Sequence, residues 1–333
     1  MRASITTSDH RTEIREASRP EPGPGQLLLQ IQVSGICGTD LHLLEMLGPG
    51  ITLGHEFTGT VAALGHGVDG FEIGERVVAL PAIACKHCRS CLNGDPVNCR
   101  SVKYLGGDLP GSFAEYVVVD AQASVPVPAE VSIEAAALVE PLAVTLKIFE
   151  RASVRAGDRV LILGAGPIGL GVTMWARASG AGVIAVSDPV ATRRQLALHL
   201  GATHAVDPAV EDLERFAARE LDGSPEVVIE CAGRPGLFAA ATTVVARGGR
   251  VVVAGMHMGT EEFKQRTPFL KNLQVVFSSW YTVRHYRHAV QLLSDGRIDP
   301  IPIVTHRITL DEVDQALREL ATPNEYGKVL VRT

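Results

Sequence analysis

Apolar and polar residues follow different patterns on either side of residue 150. Before that point, short alternating runs predict the strands of a β-rich domain at 27–33, 57–64, 76–79 and 115–119. After it, apolar strands alternate with helical segments. These strands are predicted at 159–163, 182–186, 227–230, 250–254 and 273–277, and the helices at 167–178, 191–200 and 237–246. Such alternation indicates a parallel sheet covered by helices on both faces, the doubly wound α/β architecture.

The length of the chain favours two domains. Its 333 residues exceed what one hydrophobic core usually serves. Helices predicted at 283–293 and 310–320 and a strand at 328–331 would return the chain to the first domain. We therefore predict one domain from residues 1–146 and 283–333 and a second from 147–282, with a ligand-binding cleft between them.

Composition excludes several classes of protein. The net charge of -6 gives nucleic acid no reason to bind, and 20% charged and 46% apolar residues are ordinary for a folded chain. The most apolar run, 160–172, is interrupted by glycines and Pro167 and is too short to span a membrane. Because no apolar signal-peptide segment follows Met1 and Arg2, we expect a cytoplasmic protein.

Four of the six cysteines lie close together in the first predicted domain. They are Cys85, Cys88, Cys91 and Cys99. Gly94, Asp95 and Pro96 let the chain turn back before the last of them. Four thiolates at this spacing are typical of a structural zinc site, which is tetrahedral and closed to substrate. Disulfides are the alternative, although cysteines three positions apart pair poorly, and an iron-sulfur cluster usually has a different spacing.

A second group of candidate ligands lies between Cys37 and Glu56. Cys37 follows the predicted strand 27–33, whereas His55 and Glu56 directly precede the strand 57–64, so the three side chains can reach one point. A lone buried cysteine or histidine more often serves packing than metal binding. A thiolate, an imidazole and a carboxylate together suit zinc, and the grouping therefore predicts a metal site.

Three further residues are candidates for chemistry beside that group. Thr39 and His42 follow Cys37 and are able to transfer protons. Glu140 offers another carboxylate, and we expect it to be extended because Pro141 disfavours a helical conformation at the residue before it. The alternative is that Glu140 is an exposed acid at the end of a helix predicted at 133–138.

A glycine-rich turn opens the first helix of the second predicted domain. It comprises Gly164, Gly166, Pro167, Ile168 and Gly169. The turn follows an apolar strand, and Asp188 ends the next strand, so the dinucleotide-binding fingerprint is met in its structural context. Without side chains, the first two glycines let backbone amides approach a pyrophosphate at the helix N-terminus. The motif therefore predicts a dinucleotide site.

Asp188 also bears on the choice of coenzyme. Its carboxylate would accept hydrogen bonds from the adenosine ribose and repel a 2'-phosphate, which favours NAD over NADP. Arg193 and Arg194 lie close by, where they either tolerate a phosphate, stack near the adenine or point into solvent. We predict NAD, because a carboxylate at the strand end is the more direct determinant.

Together these motifs resemble those of the zinc-containing medium-chain alcohol dehydrogenases, most closely the sorbitol, threonine and butanediol dehydrogenases. The resemblance covers essentially the whole chain and is carried by the segment 37–42, by Gly54-His55-Glu56, by the four cysteines, by Glu140-Pro141 and by the glycine-rich turn with Asp188. It implies an α/β fold with a Rossmann doubly wound parallel sheet and a β-rich GroES-like catalytic domain. It also implies one catalytic and one structural zinc per chain, and a homodimer or homotetramer formed through the edge strand 273–277.

The same resemblance assigns roles to individual residues. Cys37 and His55 would bind the catalytic zinc, and Glu56 or Glu140 would complete its shell directly or through water. Which carboxylate does so stays open. The residues that match the family's proton relay and coenzyme contacts are Thr39, His42, Ile168, Asp188 and Arg193.

Two positions depart from the sorbitol dehydrogenases. Leu43 stands where they have a tyrosine, and Trp280 stands where they have an arginine. The segment between His42 and Gly54 is also short for the family, which should reshape one wall of the substrate site. Because polar groups for a polyol are lost, a secondary alcohol with an apolar side fits better than a sugar alcohol.

The implied activity is the reversible, zinc-dependent oxidation of a secondary alcohol or polyol to a ketone, with NAD as hydride acceptor. Zinc would lower the pKa of the alcohol, Thr39 would take its proton and His42 would pass that proton to solvent. A zinc-free quinone or enoyl reductase using NADPH is one alternative, but it should lack the set of Cys37, His55 and Glu56. A non-catalytic dinucleotide-binding protein of the lens-crystallin kind is another, and the retained Thr39 and His42 argue against it.

Overall fold

The computed structural model describes residues 1–93, 95–322 and 324–333. The chain divides into two compact units, Met1–Ala143 with Tyr281–Thr333 and Val144–Trp280. Gly94, which we placed in the turn of the cysteine cluster, lies outside the described residues. In the part of the chain that the structure describes, no helix has the length and apolar character needed to cross a membrane.

The first unit is built mainly on antiparallel strands. The strands of its amino-terminal part are β1 (Arg2–Thr6), β2 (Thr12–Glu16), β3 (Gln26–Gly35), β4 (Glu56–Leu64), β5 (Arg76–Ala79), β6 (Ala82–Ile83), β7 (Lys103–Tyr104), β8 (Tyr116–Asp120) and β9 (Ser124–Pro126). The helices there are α1 (Gly38–Met46), α2 (Arg89–Leu92), α3 (Ile133–Ala137) and α4 (Val139–Ala152), the last of which continues into the second unit.

The second unit alternates strands and helices. Its strands are β10 (Arg159–Leu163), β11 (Val183–Ser187), β12 (His204–Val206), β13 (Val227–Glu230), β14 (Arg250–Val253) and β15 (Gln274–Phe277). Its further helices are α5 (Pro167–Ala178), α6 (Ala191–His199), α7 (Leu213–Glu220), α8 (Leu237–Val244) and α9 (Arg266–Lys271). The strands pair in parallel in the order β12-β11-β10-β13-β14-β15. The predicted doubly wound sheet is therefore confirmed, and its order reverses beside β10, where such sheets bind ligands.

The last part of the chain completes the first unit. It contains α10 (Val283–Ser294), β16 (Val304–Thr309), α11 (Val313–Leu320) and β17 (Lys328–Arg332). These strands join a sheet of order β16-β17-β3-β4-β5-β9, with β8 also paired to β3. In this sheet Gly35 of β3 lies opposite Leu330 on one side and Glu56 on the other. The register therefore brings the segment before Cys37 next to Glu56 and next to the strand that begins at Lys328.

An apolar cluster fixes α1 in the first unit. Ile36 and Leu44 pack with Phe113, Val331 and Leu317 of α11. Fully burying a side chain of this size stabilises the fold by about 1.5–3 kcal/mol. The helix that follows Cys37 is therefore held by contacts with distant parts of the chain, which local sequence does not reveal.

The conformation of Glu140 differs from our prediction. We expected an extended residue, but Glu140 lies in the first turn of α4. Pro141 is tolerated there because amide groups in the first turn of a helix have no partner within it, and a missing N–H costs nothing. The next amide, that of Leu142, already donates to the Leu138 carbonyl at 3.0 Å. The prediction of an extended Glu140 was wrong.

Candidate functional site

Three potential zinc ligands of the first unit converge. The ligand atoms of Cys37, His55 and Glu56 all lie within 4.8 Å of one another. Cys37 directly precedes α1, and Glu56 begins β4, which pairs with β3. Gly35 of β3 must lack a side chain, because a Cβ there would lie 2.2 Å from Oε2 of Glu56. The close approach of two strands thus allows a buried carboxylate to reach the thiol and the imidazole.

Asp40 connects the two segments that carry these ligands. It is fully buried; Oδ2 accepts a hydrogen bond from the Cys37 amide at 2.9 Å, and Oδ1 accepts one from the Gly54 amide at 3.1 Å. Oδ1 also lies 3.3 Å from Nδ1 of His55. A carboxylate on one imidazole nitrogen orients the other nitrogen toward a metal. Our sequence analysis missed Asp40, although an acid three residues after a helix N-cap is a recognised signal.

The charges around His55 favour its protonated form when no metal is present. Burial disfavours the imidazolium, but the Asp40 carboxylate and the Cys37 thiol outweigh burial and raise the pKa of His55 well above its ordinary value. The centre therefore has an excess of negative charge that a proton partly offsets. A divalent cation fits such an environment.

Lys328 is a second residue that sequence analysis did not assign to the site. Its side chain is buried, and Nζ donates to both carboxylate oxygens of Glu56 at 2.7 Å and to the Ile36 carbonyl at 3.0 Å. Burial disfavours the ammonium, but Glu56 and Cys37 outweigh this and raise the pKa of Lys328. Nothing near Lys328 in sequence marked it, because its partners come from the other end of the chain.

Glu140 lies near the converging ligands but is held by a different donor. It is 6% exposed, so the alternative of an exposed acid at a helix end is wrong. Its Oε1 accepts a hydrogen bond from the Tyr281 hydroxyl. Burial, and then the Glu56 carboxylate, raise the pKa of Glu140 to about 7. Among the described residues, the ligand set within 4.8 Å leaves Glu140 out.

Thr39 and His42 both lie on α1. Oγ1 of Thr39 is 3.6 Å from Sγ of Cys37, so the threonine hydroxyl stands beside the candidate metal ligands. His42 follows three residues later on the same helix, which places the two side chains on one face. Both side chains are exposed. The structure therefore offers a path from the ligand set to solvent along α1, a helix that we did not predict.

The four clustered cysteines form a second ligand set. Their sulfur atoms lie within 4.8 Å of one another, and all four are free thiols in the structure. Sγ of Cys99 accepts hydrogen bonds from the amides of Cys85 at 3.4 Å and Ser101 at 3.3 Å. Backbone hydrogen bonds, first from the Cys91 amide, lower the pKa of Cys88 to about 6. Burial raises the pKa of Cys91 to about 12. Sulfur atoms that accept amide hydrogen bonds and converge on one point fit a structural zinc.

The glycine-rich turn of the second unit forms a cradle at the N-terminus of α5. Gly166 is the N-cap of this helix, and Pro167 and Ile168 follow it, partly exposed. A Cβ on Gly166 would meet nothing within 4 Å, whereas a Cβ on Gly169 would lie 1.8 Å from the Gly164 carbonyl oxygen. Gly166 therefore leaves open space in front of the helix, and Gly169 allows the turn to pack closely against the start of the helix. This arrangement fits a bound pyrophosphate.

Asp188 is fastened beside that turn. It is 5% exposed, and its carboxylate accepts hydrogen bonds from the amides of Ala165 and Val190, each at 2.8 Å. Each carboxylate oxygen keeps a further lone pair for a ligand hydroxyl. The glycine-rich turn and the candidate ribose-binding acid are thus joined into one rigid unit.

The two arginines near Asp188 are placed differently. Arg194 donates to the Asp188 carbonyl at 2.7 Å and forms an ion pair with Asp207 at 3.0 Å. Asp207 follows β12, a strand that we did not predict. Arg193 is partly buried. The positive charge of Arg194 is therefore already compensated by a carboxylate.

Comparisons with known proteins relate this chain to dehydrogenases. A family model described as the alcohol dehydrogenase GroES-like domain matches residues 23–129, and one described as zinc-binding dehydrogenase matches 167–295. The chain is 34% identical to an L-threonine 3-dehydrogenase of Pyrococcus furiosus, covering 98% of this chain and 96% of the relative. It is 30% identical to a sorbitol dehydrogenase of Bacillus subtilis, covering 99% and 97%. A zinc-binding dehydrogenase structure from Sinorhizobium meliloti, bound to NADP, has a TM-score of 0.93 at 34% identity and covers 100% of this chain and 99% of its own.

Proposed function

Because this chain belongs to the zinc-binding alcohol dehydrogenase family, we propose that it reversibly oxidises a secondary alcohol or a polyol to a ketone, with NAD as hydride acceptor. The observation that carries this proposal is the convergence of Cys37, His55 and Glu56 within 4.8 Å. We assign this chemistry to the first unit and coenzyme binding to the second. Three protein ligands suit a catalytic zinc, because one coordination position stays open for substrate.

Two separate sets of residues in the first unit would each bind one metal ion. Cys37, His55 and Glu56 would hold the catalytic zinc, and the four clustered cysteines would hold the structural one. When bound, the catalytic zinc supplies a Lewis acid that lowers the pKa of an alcohol hydroxyl. Asp40 keeps His55 and the Cys37 backbone in place, so that the ligands are positioned before the metal arrives.

Thr39 and His42 would move the proton that the alcohol loses. The Thr39 hydroxyl lies 3.6 Å from the Cys37 sulfur and can accept a proton from a hydroxyl bound at the same point while it passes its own proton on. His42 is exposed on the same helix, so it can pass the proton to water. Such general acid–base help typically contributes about 10²- to 10⁴-fold to a rate.

The second unit would bind NAD through the glycine-rich turn and Asp188. Backbone amides at the start of α5 would receive the pyrophosphate, with Pro167, Ile168 and Arg193 beside the coenzyme. The lone pairs left on Asp188 would receive the ribose hydroxyls. Asp207 supports the preference for NAD, because it neutralises Arg194, one of the two arginines able to bind a 2'-phosphate.

The substrate proposal depends on two apolar residues. Leu43 packs against the apolar cluster of the first unit, and Trp280 is 50% exposed. By the resemblance described above, sorbitol dehydrogenases have polar side chains at both positions. We infer a secondary alcohol with one apolar substituent, and a panel of polyols, amino alcohols and apolar secondary alcohols, read by NADH formation and repeated with NADP, identifies it.

A matched pair of histidine variants tests the metal assignment. The purified protein should contain two zinc ions per chain and reduce NAD with an alcohol from the panel. His55→Gln should remove one zinc and lower turnover at least about 100-fold, because a metal that acts as a Lewis acid stabilises the transition state by several kcal/mol. His66→Gln is the control, because His66 is exposed and lies outside both ligand sets. A His55→Gln protein with two zinc ions and normal turnover would refute the proposal.

We also propose that the protein is a homo-oligomer formed through β15. This strand is an edge of the parallel sheet. Phe277 on β15 is 70% exposed, and Phe269 on α9 is 78% exposed. An unpaired edge with exposed aromatic residues is a template for pairing with a second copy about a twofold axis. Light scattering should show a dimer or tetramer, and Phe277→Asp should dissociate it; a wild-type monomer at micromolar concentration contradicts the idea.

A further inference from the structure

The two carboxylates near the metal ligands have different hydrogen-bond donors. Glu56 is fixed by the Lys328 ammonium, which contacts both of its oxygens at 2.7 Å. Glu140 is fixed through one oxygen by the neutral hydroxyl of Tyr281. Both carboxylates are almost fully buried, so neither can exchange its partner for bulk water. The position of each carboxylate is therefore fixed by its hydrogen-bond donor.

Only one of these carboxylates belongs to the converging ligand set. Among the described residues, Glu56 joins Cys37 and His55 within 4.8 Å, and Glu140 does not. Glu140 is nevertheless a strong potential ligand, since it is buried in the same part of the first unit. If it bound the metal as well, four protein ligands would fill the tetrahedron, and a substrate hydroxyl would have to displace one of them.

The tyrosine that holds Glu140 is itself firmly positioned. Tyr281 is 8% exposed, and its ring stacks on that of Tyr286, with centroids 5.7 Å apart and an interplanar angle of 26°. The next residue, Thr282, is the N-cap of α10, and its amide donates to Nδ1 of the buried His285 at 3.0 Å. Ring packing and helix capping therefore fix both the side chain and the backbone of Tyr281.

We propose that Tyr281 is a positioning residue that holds Glu140 out of the set formed by Cys37, His55 and Glu56, and so keeps the fourth metal position open for the substrate hydroxyl. The inference rests on the proposed function, because it concerns the same zinc. To bind the metal, Glu140 would have to break its hydrogen bond with Tyr281. In Tyr281→Phe that cost is absent, and direct binding of Glu140 becomes more favourable.

The structure supplies a control for this variant. Tyr286 is 1% exposed and stacks on Tyr281, but among the described residues its hydroxyl makes no hydrogen bond with Glu140. Tyr286→Phe therefore removes a buried hydroxyl from the same ring pair without releasing Glu140. Both variants keep their rings, and circular dichroism and thermal unfolding verify that they fold.

The test uses full-length protein with cobalt in the catalytic position and zinc in the cysteine cluster. Visible absorption of the cobalt reports its coordination, and imidazole is the probe for the open position. Tyr281→Phe should bind imidazole about 10- to 100-fold more weakly than wild type, the range expected for a hydrogen bond to a charged group. Chelator competition should show tighter binding of the catalytic metal by a similar factor, and kcat should fall while NADH affinity stays the same.

A second substitution separates positioning from simple structural damage. The double variant Glu140→Gln/Tyr281→Phe lacks the competing carboxylate. Its imidazole affinity should be within about twofold of that of the single variant Glu140→Gln, because the two residues act on one interaction. A Tyr281→Phe protein whose metal and imidazole affinities match those of Tyr286→Phe refutes the role of Tyr281 and leaves the proposed function intact. A wild-type protein without a second metal and without NADH formation overturns both.

Discussion

Two glycines of the glycine-rich turn should have separable roles. In Gly169→Ala, the new Cβ would lie 1.8 Å from the Gly164 carbonyl oxygen, more than 1 Å inside the shortest contact that a Cβ tolerates. The backbone of the turn must move, because its carbonyl is not the end of a flexible side chain. Forcing atoms into a packed region costs about 1–3 kcal/mol. We expect the Tm of the metal-loaded protein to fall by roughly 3–10 °C.

Gly166→Ala is the matched variant. Gly166 has φ -70°, which any residue adopts, and a Cβ there meets nothing within 4 Å. The loss of a favourable N-cap and the reduced freedom of the unfolded chain roughly offset each other, so the Tm should stay within about 2 °C of wild type. The added methyl group would occupy the space in front of the helix. We therefore expect NADH to bind at least about tenfold more weakly, or 1.4 kcal/mol.

Differential scanning calorimetry and NADH titration by fluorescence measure the two effects on the same samples. The expected result is a destabilised Gly169→Ala protein and a stable Gly166→Ala protein with weakened coenzyme binding. The reasoning is refuted if Gly169→Ala unfolds at the wild-type temperature. It is also refuted if Gly166→Ala binds NADH normally, because the open space would then not be the coenzyme cradle.

Three further variants test other parts of the first unit. Glu134 is held by Arg307 and Arg332, and hydrogen bonds, first from Arg307, lower its pKa from 4.5 to about 2. A lowered carboxyl pKa adds stability above pH 4.5 that is lost as the pH falls through 2. Glu134→Gln should therefore cost about 1 kcal/mol at pH 7, after allowance for the exposed arginines, and clearly less at pH 2, where about half of Glu134 is protonated, as measured by denaturant unfolding. Cys99→Ser should lose one zinc of two and unfold earlier while NADH binding is kept, and metal analysis showing two zinc ions would contradict this. Thr39→Val should keep both zinc ions and lower kcat about 100-fold or more; an unchanged kcat would exclude Thr39 from the proposed proton relay.

The parallel sheet was predictable from sequence because its strands are buried on both faces. Near-continuous apolar runs ended by glycine-rich turns mark such strands, and β10 and α5 begin and end at the residues we predicted. The short strand β12 was missed because His204–Val206 is only three residues long and lacks a distinct pattern. Its omission hid Asp207, the partner of Arg194.

The candidate metal site was predictable only in its ligand types. Cys37, His55 and Glu56 stand out because their chemistry is rare in combination. Asp40 and Lys328 do not, since an acid in a helix and a lysine at the start of a strand are ordinary in sequence. Their roles arise from the pairing of β3 with β4 and β17, which is a long-range property of the fold. The prediction for Glu140 failed for a local reason. A residue before proline usually avoids the helical conformation, but proline is well tolerated in the first turn of a helix.

Lys328 meets Glu56 across 272 residues of chain. On the ribosome, Lys328, the cation that neutralises Glu56, is synthesised 272 residues after it. Until then, burying this carboxylate would leave its charge uncompensated, at a cost of several kcal/mol. A nascent polypeptide that still lacks β17 therefore has no lysine to neutralise a buried Glu56, and we expect this part of the candidate metal site to form only after β17 is made.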